Sequence, residues 1–257
     1  MKQFVLFLLF GMFLFHMPAQ SQSSRVIAHR GYWRPGGATE NSIASLTAAQ
    51  QLGIYGSEFD VWITADGVAV IHHDAEINGK KIEETPYADI KDYKLSNGEI
   101  LPTLSAYLIA GAKNTTTRLV MELKPHTDTL REEALVKEAL RLVELYDVSN
   151  HTVYISFSKH ICRKLHELAP EVEISYLSGD LTPAQVKELG WTGIDYHEPF
   201  FRKNPEWVAE ARKLGLITNV WTINKEENME WCISLHVDFI TTDEPEKLAN
   251  LIAKKNE

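Results

Sequence analysis

From Arg25 onward, short apolar runs alternate with amphipathic stretches until the chain ends. The strand candidates are residues 26–28, 57–63, 68–72, 118–123, 152–156, 173–177, 193–196, 218–222 and 239–241. Helical periodicity occupies 43–52, 130–146, 159–168, 183–189, 205–214, 226–235 and 245–254, punctuated by Gly53, Pro170, Gly190 and Gly215. Strands that alternate with helices are expected to pair in parallel, because a parallel pair needs a long crossover connection. The number of units suits a closed eight-stranded α/β barrel. A doubly wound open sheet is the alternative. It is disfavoured because no Gly-rich phosphate loop follows the first strand. Residues 75–112 break the alternation, with turn chemistry at Asn78-Gly79 and Asn97-Gly98. They are expected to leave the barrel as a small insertion carrying one or two short helices.

The first residues read as a secretory leader. Lys2 is a basic start, residues 4–15 are almost unbroken apolar, and Met17 to Ser21 supplies small residues for cleavage. The apolar run is shorter than the ~20 residues a membrane span needs, so no stable membrane anchor is expected. Residues 1–21 are assigned to a signal peptide and 22–257 to one mature domain, in the periplasm or outside the cell. The formal net charge of −9 argues against a nucleic-acid partner. Cys162 and Cys232 fall in separate predicted helices and are expected as packed, free thiols. No CxxC pair is present, which excludes zinc held by thiolates.

Chemistry concentrates between Val26 and Asp74, at the ends of apolar runs. In a strand, residues i and i+2 share a face, so Glu58 and Asp60 point into one space. Their neighbours Phe59, Val61 and Trp62 are apolar, and Glu122 has the same setting in LVMELK. Solvated strand carboxylates are the bland reading of any one pair. Three such carboxylates on strands repel one another unless a cation lies between them, and all-oxygen ligation favours Mg²⁺ or Ca²⁺. Lys124 shares the face of Glu122 and suits a phosphate oxygen or an ion pair. Arg30 is suited to bidentate phosphate contacts, and Gly31 lets the backbone turn beside it. His29 ends the first strand, and a second histidine ends the third. Their ordinary pKa suits proton transfer at neutral pH. Periodicity does not choose between His72 and His73, because Val70 and Ile71 are both apolar.

With these residues in view, the chain resembles the glycerophosphodiester phosphodiesterase family. The family's HRG motif is matched by His29-Arg30-Gly31 and its Glu-Asn pair by Glu40-Asn41. Its E-x-D strand with T-x-D-G is matched by Glu58-Phe59-Asp60 and Thr64-Ala65-Asp66-Gly67. Its V-x-H-D ending falls on Ile71-His72-His73-Asp74, and its E-x-K strand on Glu122-Leu123-Lys124. Ser156-Phe157, Val220 to Asn224 and Thr242 to Pro245 continue the match over nearly all of the mature chain. Ala38-Thr39 departs mildly, standing where the family often has Pro.

The resemblance implies a TIM barrel with a small insertion after the second strand. It selects His73 as the second catalytic histidine. It implies hydrolysis of glycerophosphodiesters to glycerol 3-phosphate and an alcohol, and the short, polar, charge-rich insertion together with the acidic balance of the chain points to small, soluble substrates. One divalent cation, Mg²⁺ or Ca²⁺, is expected on Glu58, Asp60 and Glu122, with substrate on Arg30, Lys124, Phe157 and Trp221. Glu40 is expected either near the metal or as a charge at the helix start. The competing readings are a lysophospholipase D-like enzyme and a barrel that binds phosphodiesters without turnover. The two histidines count against the latter, since a binding module has no use for proton-transfer groups.

Overall fold

The computed structural model of the chain describes residues 23–34 and 37–255. The expected leader at 1–21 lies outside them. Eleven strands are present among the described residues: β1 Arg25–Ala28, β2 Gly56–Ile63, β3 Ala69–Ile71, β4 Glu76–Ile77, β5 Lys80–Lys81, β6 Arg118–Leu123, β7 Thr152–Ser156, β8 Ile174–Tyr176, β9 Gly193–His197, β10 Ile217–Trp221 and β11 Phe239–Thr242. The helices are α1 Ile43–Leu52, α2 Leu104–Gly111, α3 Thr129–Leu145, α4 Lys159–Leu168, α5 Pro183–Glu188, α6 Glu198–Lys203, α7 Glu206–Lys213, α8 Glu226–Ser234 and α9 Pro245–Lys255.

Eight of the strands form one parallel ring. The order β1-β11-β10-β9-β8-β7-β6-β2 is closed by pairing of β1 with β2. Closure leaves no free edge, so each of the eight strands has two partners. The remaining expected strand is an antiparallel arm: β3 runs back along β2, with Ile71 opposite Val61.

Alternation sorts the side chains. On β2, Phe59, Val61 and Ile63 join the large apolar cluster beneath the helices, while Glu58 and Asp60 point inward. The lower barrel interior is filled by Ile27, Val120, Ile155, Leu177 and Phe239. Polar groups are therefore displaced toward the carboxyl ends of the strands, where the loops open to solvent. Cys162 and Cys232 are buried and free, as expected.

Local signals explain the element boundaries. Ser42 caps α1 by accepting the amide of Ser45, and Gly53 ends it in the left-handed region at φ 70°. Gly31 sits at φ +78°, and a Cβ there would lie 2.4 Å from Ser45 Oγ. Only glycine suits both the turn and the close approach of α1.

Two findings depart from the expectation. The segment 75–112 includes α2, which packs between α1 and α3 and against β3 as part of the barrel's helical layer. The true excursion is shorter, and the apolar pattern of α2 is hidden in sequence by the turn-rich stretch before it. That excursion has its own small core of Ile77, Ile82, Ile90 and Leu101 packed on Trp62 and Val70. The second departure is α6, a short helix with Pro199 in its first turn, set between β9 and α7.

Candidate active site

The carboxyl ends of the barrel strands enclose a cavity of about 260 Å³. All nine side chains expected from the sequence line it: His29, Arg30, Glu58, Asp60, His73, Glu122, Lys124, Phe157 and Trp221. His72 does not. Its ring turns toward the insertion and meets Tyr93 edge-on, with centroids 5.7 Å apart. Tertiary structure thus separates two histidines that strand periodicity left equivalent.

Glu58, Asp60 and Glu122 are buried, and one oxygen from each lies within 4.8 Å of the others. They are held from outside the trio. The Arg30 amide donates to Glu58 Oε2 at 2.8 Å. Asn41 grips Asp60 twice, its Nδ2 donating to Oδ2 at 2.7 Å and its Oδ1 accepting the Asp60 amide at 3.1 Å. Lys124 Nζ lies 2.7 Å from Asp60 Oδ1 and 2.8 Å from Glu122 Oε1. Arg30 pairs with Glu40 at 2.6 Å and approaches Asp60 at 3.7 Å. Glu40 is therefore the partner of Arg30 and does not belong to the trio.

The electrostatics follow from this crowding. Burial, and then repulsion from Asp60 and Glu122, pushes the Glu58 carboxyl well above the usual range. Burial raises Glu122 to about 7, against the pull of Lys124. Burial would raise Asp60 as well, but Lys124 and Asn41 hold it below its ordinary value. Burial would lower Lys124, and the charges of Asp60 and Glu122 raise it instead. Glu58 Oε1 is buried and makes no hydrogen bond among the described residues. Such an atom is costly to bury unless something electropositive meets it. Three oxygens at this spacing, one of them bare, suit a single hard cation.

Both cavity histidines are oriented by carboxylates. His29 Nδ1 lies 2.8 Å from Asp243 Oδ1, and His73 Nδ1 lies 2.7 Å from Asp74 Oδ1. Each carboxylate accepts from Nδ1, which leaves Nε2 as the second functional nitrogen. Asp243 is itself pinned: Asn224 Nδ2 donates to its Oδ2 at 2.7 Å, and Asn224 Oδ1 accepts its amide at 2.9 Å. Burial pushes the His73 pKa below its ordinary value, partly offset by Asp60.

The other half of the cavity is apolar, made by Ile155, Phe157, Leu177 and Trp221. Phe157 and Trp221 meet edge-to-face at 5.6 Å. Sequence reasoning missed Asp195, Thr222 and Thr241 in this lining. Asp195 had a readable signal, a lone carboxylate on an apolar strand, the same pattern that drew attention to Glu122.

The fold agrees with comparisons to known proteins. Residues 29–247 match the profile of the Glycerophosphoryl diester phosphodiesterase family. A glycerophosphodiester phosphodiesterase of Caldanaerobacter subterraneus subsp. tengcongensis is 30% identical over 244 residues, covering 89% of this chain and 98% of that protein. The crystal structure of a glycerophosphodiester phosphodiesterase from Parabacteroides distasonis superposes with a TM-score of 0.91 at 43% identity, over 91% of this chain and 99% of that one. A phosphodiesterase of Oleispira antarctica, solved with the product sn-glycerol-3-phosphate, superposes with a TM-score of 0.78 at 27% identity, over 90% and 97% of the two chains.

Proposed function

This chain belongs to the glycerophosphoryl diester phosphodiesterase family, and from that premise we propose a cation-assisted cleavage of small glycerophosphodiesters to glycerol 3-phosphate and an alcohol. The observation that carries the reading is the joining, in one cavity, of the acidic trio, two cationic side chains and two carboxylate-oriented histidines. The product held by the Oleispira antarctica relative supports glycerol phosphate as the recognised moiety.

Glu58, Asp60 and Glu122 would hold one divalent cation, Mg²⁺ or Ca²⁺, which when bound polarises a phosphoryl oxygen. Arg30 and Lys124 place positive charge where negative charge grows in the transition state. Both line the cavity beside the acidic trio. Of the two histidines, one takes the proton of the attacking oxygen and the other protonates the departing alkoxide. The attacking oxygen is either water or the neighbouring glycerol hydroxyl. Phe157 and Trp221 wall the apolar side of the cavity.

Asp243 acts through His29. It holds the ring in one tautomer, with Nδ1–H toward the carboxylate and Nε2 left for the substrate. Asp243→Asn is expected to lower kcat by about 10- to 10²-fold, the scale of one charge-assisted hydrogen bond. KM and Tm should stay close to wild type. A rise in KM with kcat unchanged would remove this role.

Substrate class is tested with a series differing only in head group, followed by one carrying an acyl chain. Most apolar residues of the insertion pack in its own core, with Ile100 the exposed exception, so it offers little surface for an acyl chain. Among the described residues, no helix is long and apolar enough to cross a membrane. Head-group changes should alter kcat/KM by less than about tenfold, or about 1.4 kcal/mol, whereas the acyl chain should cost more. A preference for the acylated compound would move the function to a lysophospholipase D. The leader read at residues 1–21 supports action in the periplasm or outside the cell, on substrate already freed from the membrane.

A further inference from the structure

The apolar half of the cavity contains one conspicuous exception. Asp195 projects from β9 into the barrel, between the inward positions of Gly193 and His197, while Ile194 and Tyr196 pack outward in the main core. It is 2% exposed. It lines the catalytic cavity and also the narrow space beneath, among Ile27, Val120, Ile217 and Phe239, so it forms part of the floor. Asn219 stands directly across on β10; its amide donates to Thr241 Oγ1 at 2.8 Å and also faces the Asp195 carboxyl, whose pKa it holds down in part against burial. Trp221 Nε1 is bonded to the backbone carbonyl of Asp195 and leaves the carboxyl alone. Asp195 Oδ1 makes no hydrogen bond among the described residues.

A buried carboxyl oxygen without a partner is destabilising, and one that opens on a substrate cavity is placed to be met by a ligand group. The mechanism above gives Asp195 no task, because the phosphate is claimed by groups on the opposite wall. Depth decides what reaches this floor. Substrates that share one moiety and vary in the other must put the shared moiety deepest, since only the outer end is free to vary. The shared moiety here is glycerol, and its terminal hydroxyl lies furthest from phosphorus. A carboxyl set among apolar side chains can donate to or accept from such a hydroxyl and rejects a methyl group in its place.

We infer that Asp195 is a specificity-determining residue that hydrogen-bonds the terminal hydroxyl of the substrate's glycerol moiety. The inference rests on the glycerophosphodiester reading of the same cavity. It requires no change in the roles of the trio or of the histidines.

The test crosses two substrates with three proteins. The substrates are a glycerophosphodiester and its analogue with hydrogen in place of the terminal hydroxyl. The proteins are wild type, Asp195→Ala and Asp195→Asn. Wild type should prefer the intact substrate by about 10- to 10²-fold in kcat/KM, the scale of a hydrogen bond to a charged or strongly polar group. Asp195→Ala should lose that factor on the intact substrate and almost nothing on the analogue. Asp195→Asn, which keeps an oxygen of the same reach, should recover much of the preference. Binding of sn-glycerol 3-phosphate and its terminal deoxy analogue, measured by calorimetry, should show the same pattern without turnover. Equal losses on both substrates, as expected if Asp195 only holds an internal water or the barrel floor, would overturn the assignment while leaving the activity intact. A wild-type protein that neither cleaves nor binds the glycerol compounds overturns the assignment and the functional reading together.

Discussion

His29→Ala and His73→Ala each lower kcat by about 10²–10⁴, the range for one acid–base group, while His72→Ala stays near wild type. The geometry sets this ordering. His29 and His73 line the cavity, and each has Nδ1 fixed by a carboxylate. His72 Nδ1 donates to the backbone carbonyl of Asp74, and the ring turns toward Tyr93. The two cavity histidines sit on separate supports, one after β1 and one after β3, and in the proposed reaction they would serve two coupled proton transfers of one displacement. Their losses should therefore be far from additive, since removing either partner already interrupts the reaction. Steady-state rates of the three single variants and of the double variant check the expectation. A dead His72→Ala beside an active His73→Ala would contradict the assignment, as would losses below about tenfold for both cavity histidines.

Chelation produces the second large effect. Full removal of divalent cations should lower turnover by about 10³-fold or more, given the several kcal/mol a Lewis acid supplies at a phosphoryl group. Mg²⁺ or Ca²⁺ should restore it, and Glu122→Gln should not be restored at ordinary concentrations. A stability readout accompanies this. Glu58 and Glu122 have pKa values raised in the folded protein, Glu122 to about 7. In chelator, the contribution of Glu122 to stability is fully present below the unfolded value of about 4.3 and is lost as pH rises through about 7, and that of Glu58 changes in the same direction. Asp60 is shifted the other way, so its contribution is lost only on acidification. Cation binding needs the carboxylates ionised. The increase in Tm on adding cation should therefore grow between pH 5 and pH 8, to about 5–11 °C at a hundredfold excess over Kd. Undiminished turnover in exhaustively chelated protein, together with no cation-dependent change in Tm at pH 8, would sink the metal assignment.

Much of the barrel is legible because its signals are local. A period of two in the strands and of 3.6 in the helices is written within each segment, and Gly53, Gly190 and Gly215 mark where helices stop. The pairing of Glu58 with Asp60, and of Glu122 with Lys124, follows from the same period of two. Those relations need no knowledge of what lies across the barrel. The leader at 1–21 rests on sequence signals alone.

What the tertiary structure decided are relations between distant residues. Closure of the ring through β1 sets His29 beside Asp243, 214 positions away in sequence. The antiparallel return of β3 turns His73 into the cavity and His72 away, a choice invisible while Val70 and Ile71 look alike. The place of α2 on the barrel depends on its packing against α1 and α3, which outweighs the loop-like sequence before it. Asp195 acquires meaning only when four strands close around it, because burial rather than residue type makes its unpaired oxygen costly. Local periodicity specifies which face a side chain takes, and only the closed barrel specifies what that face meets.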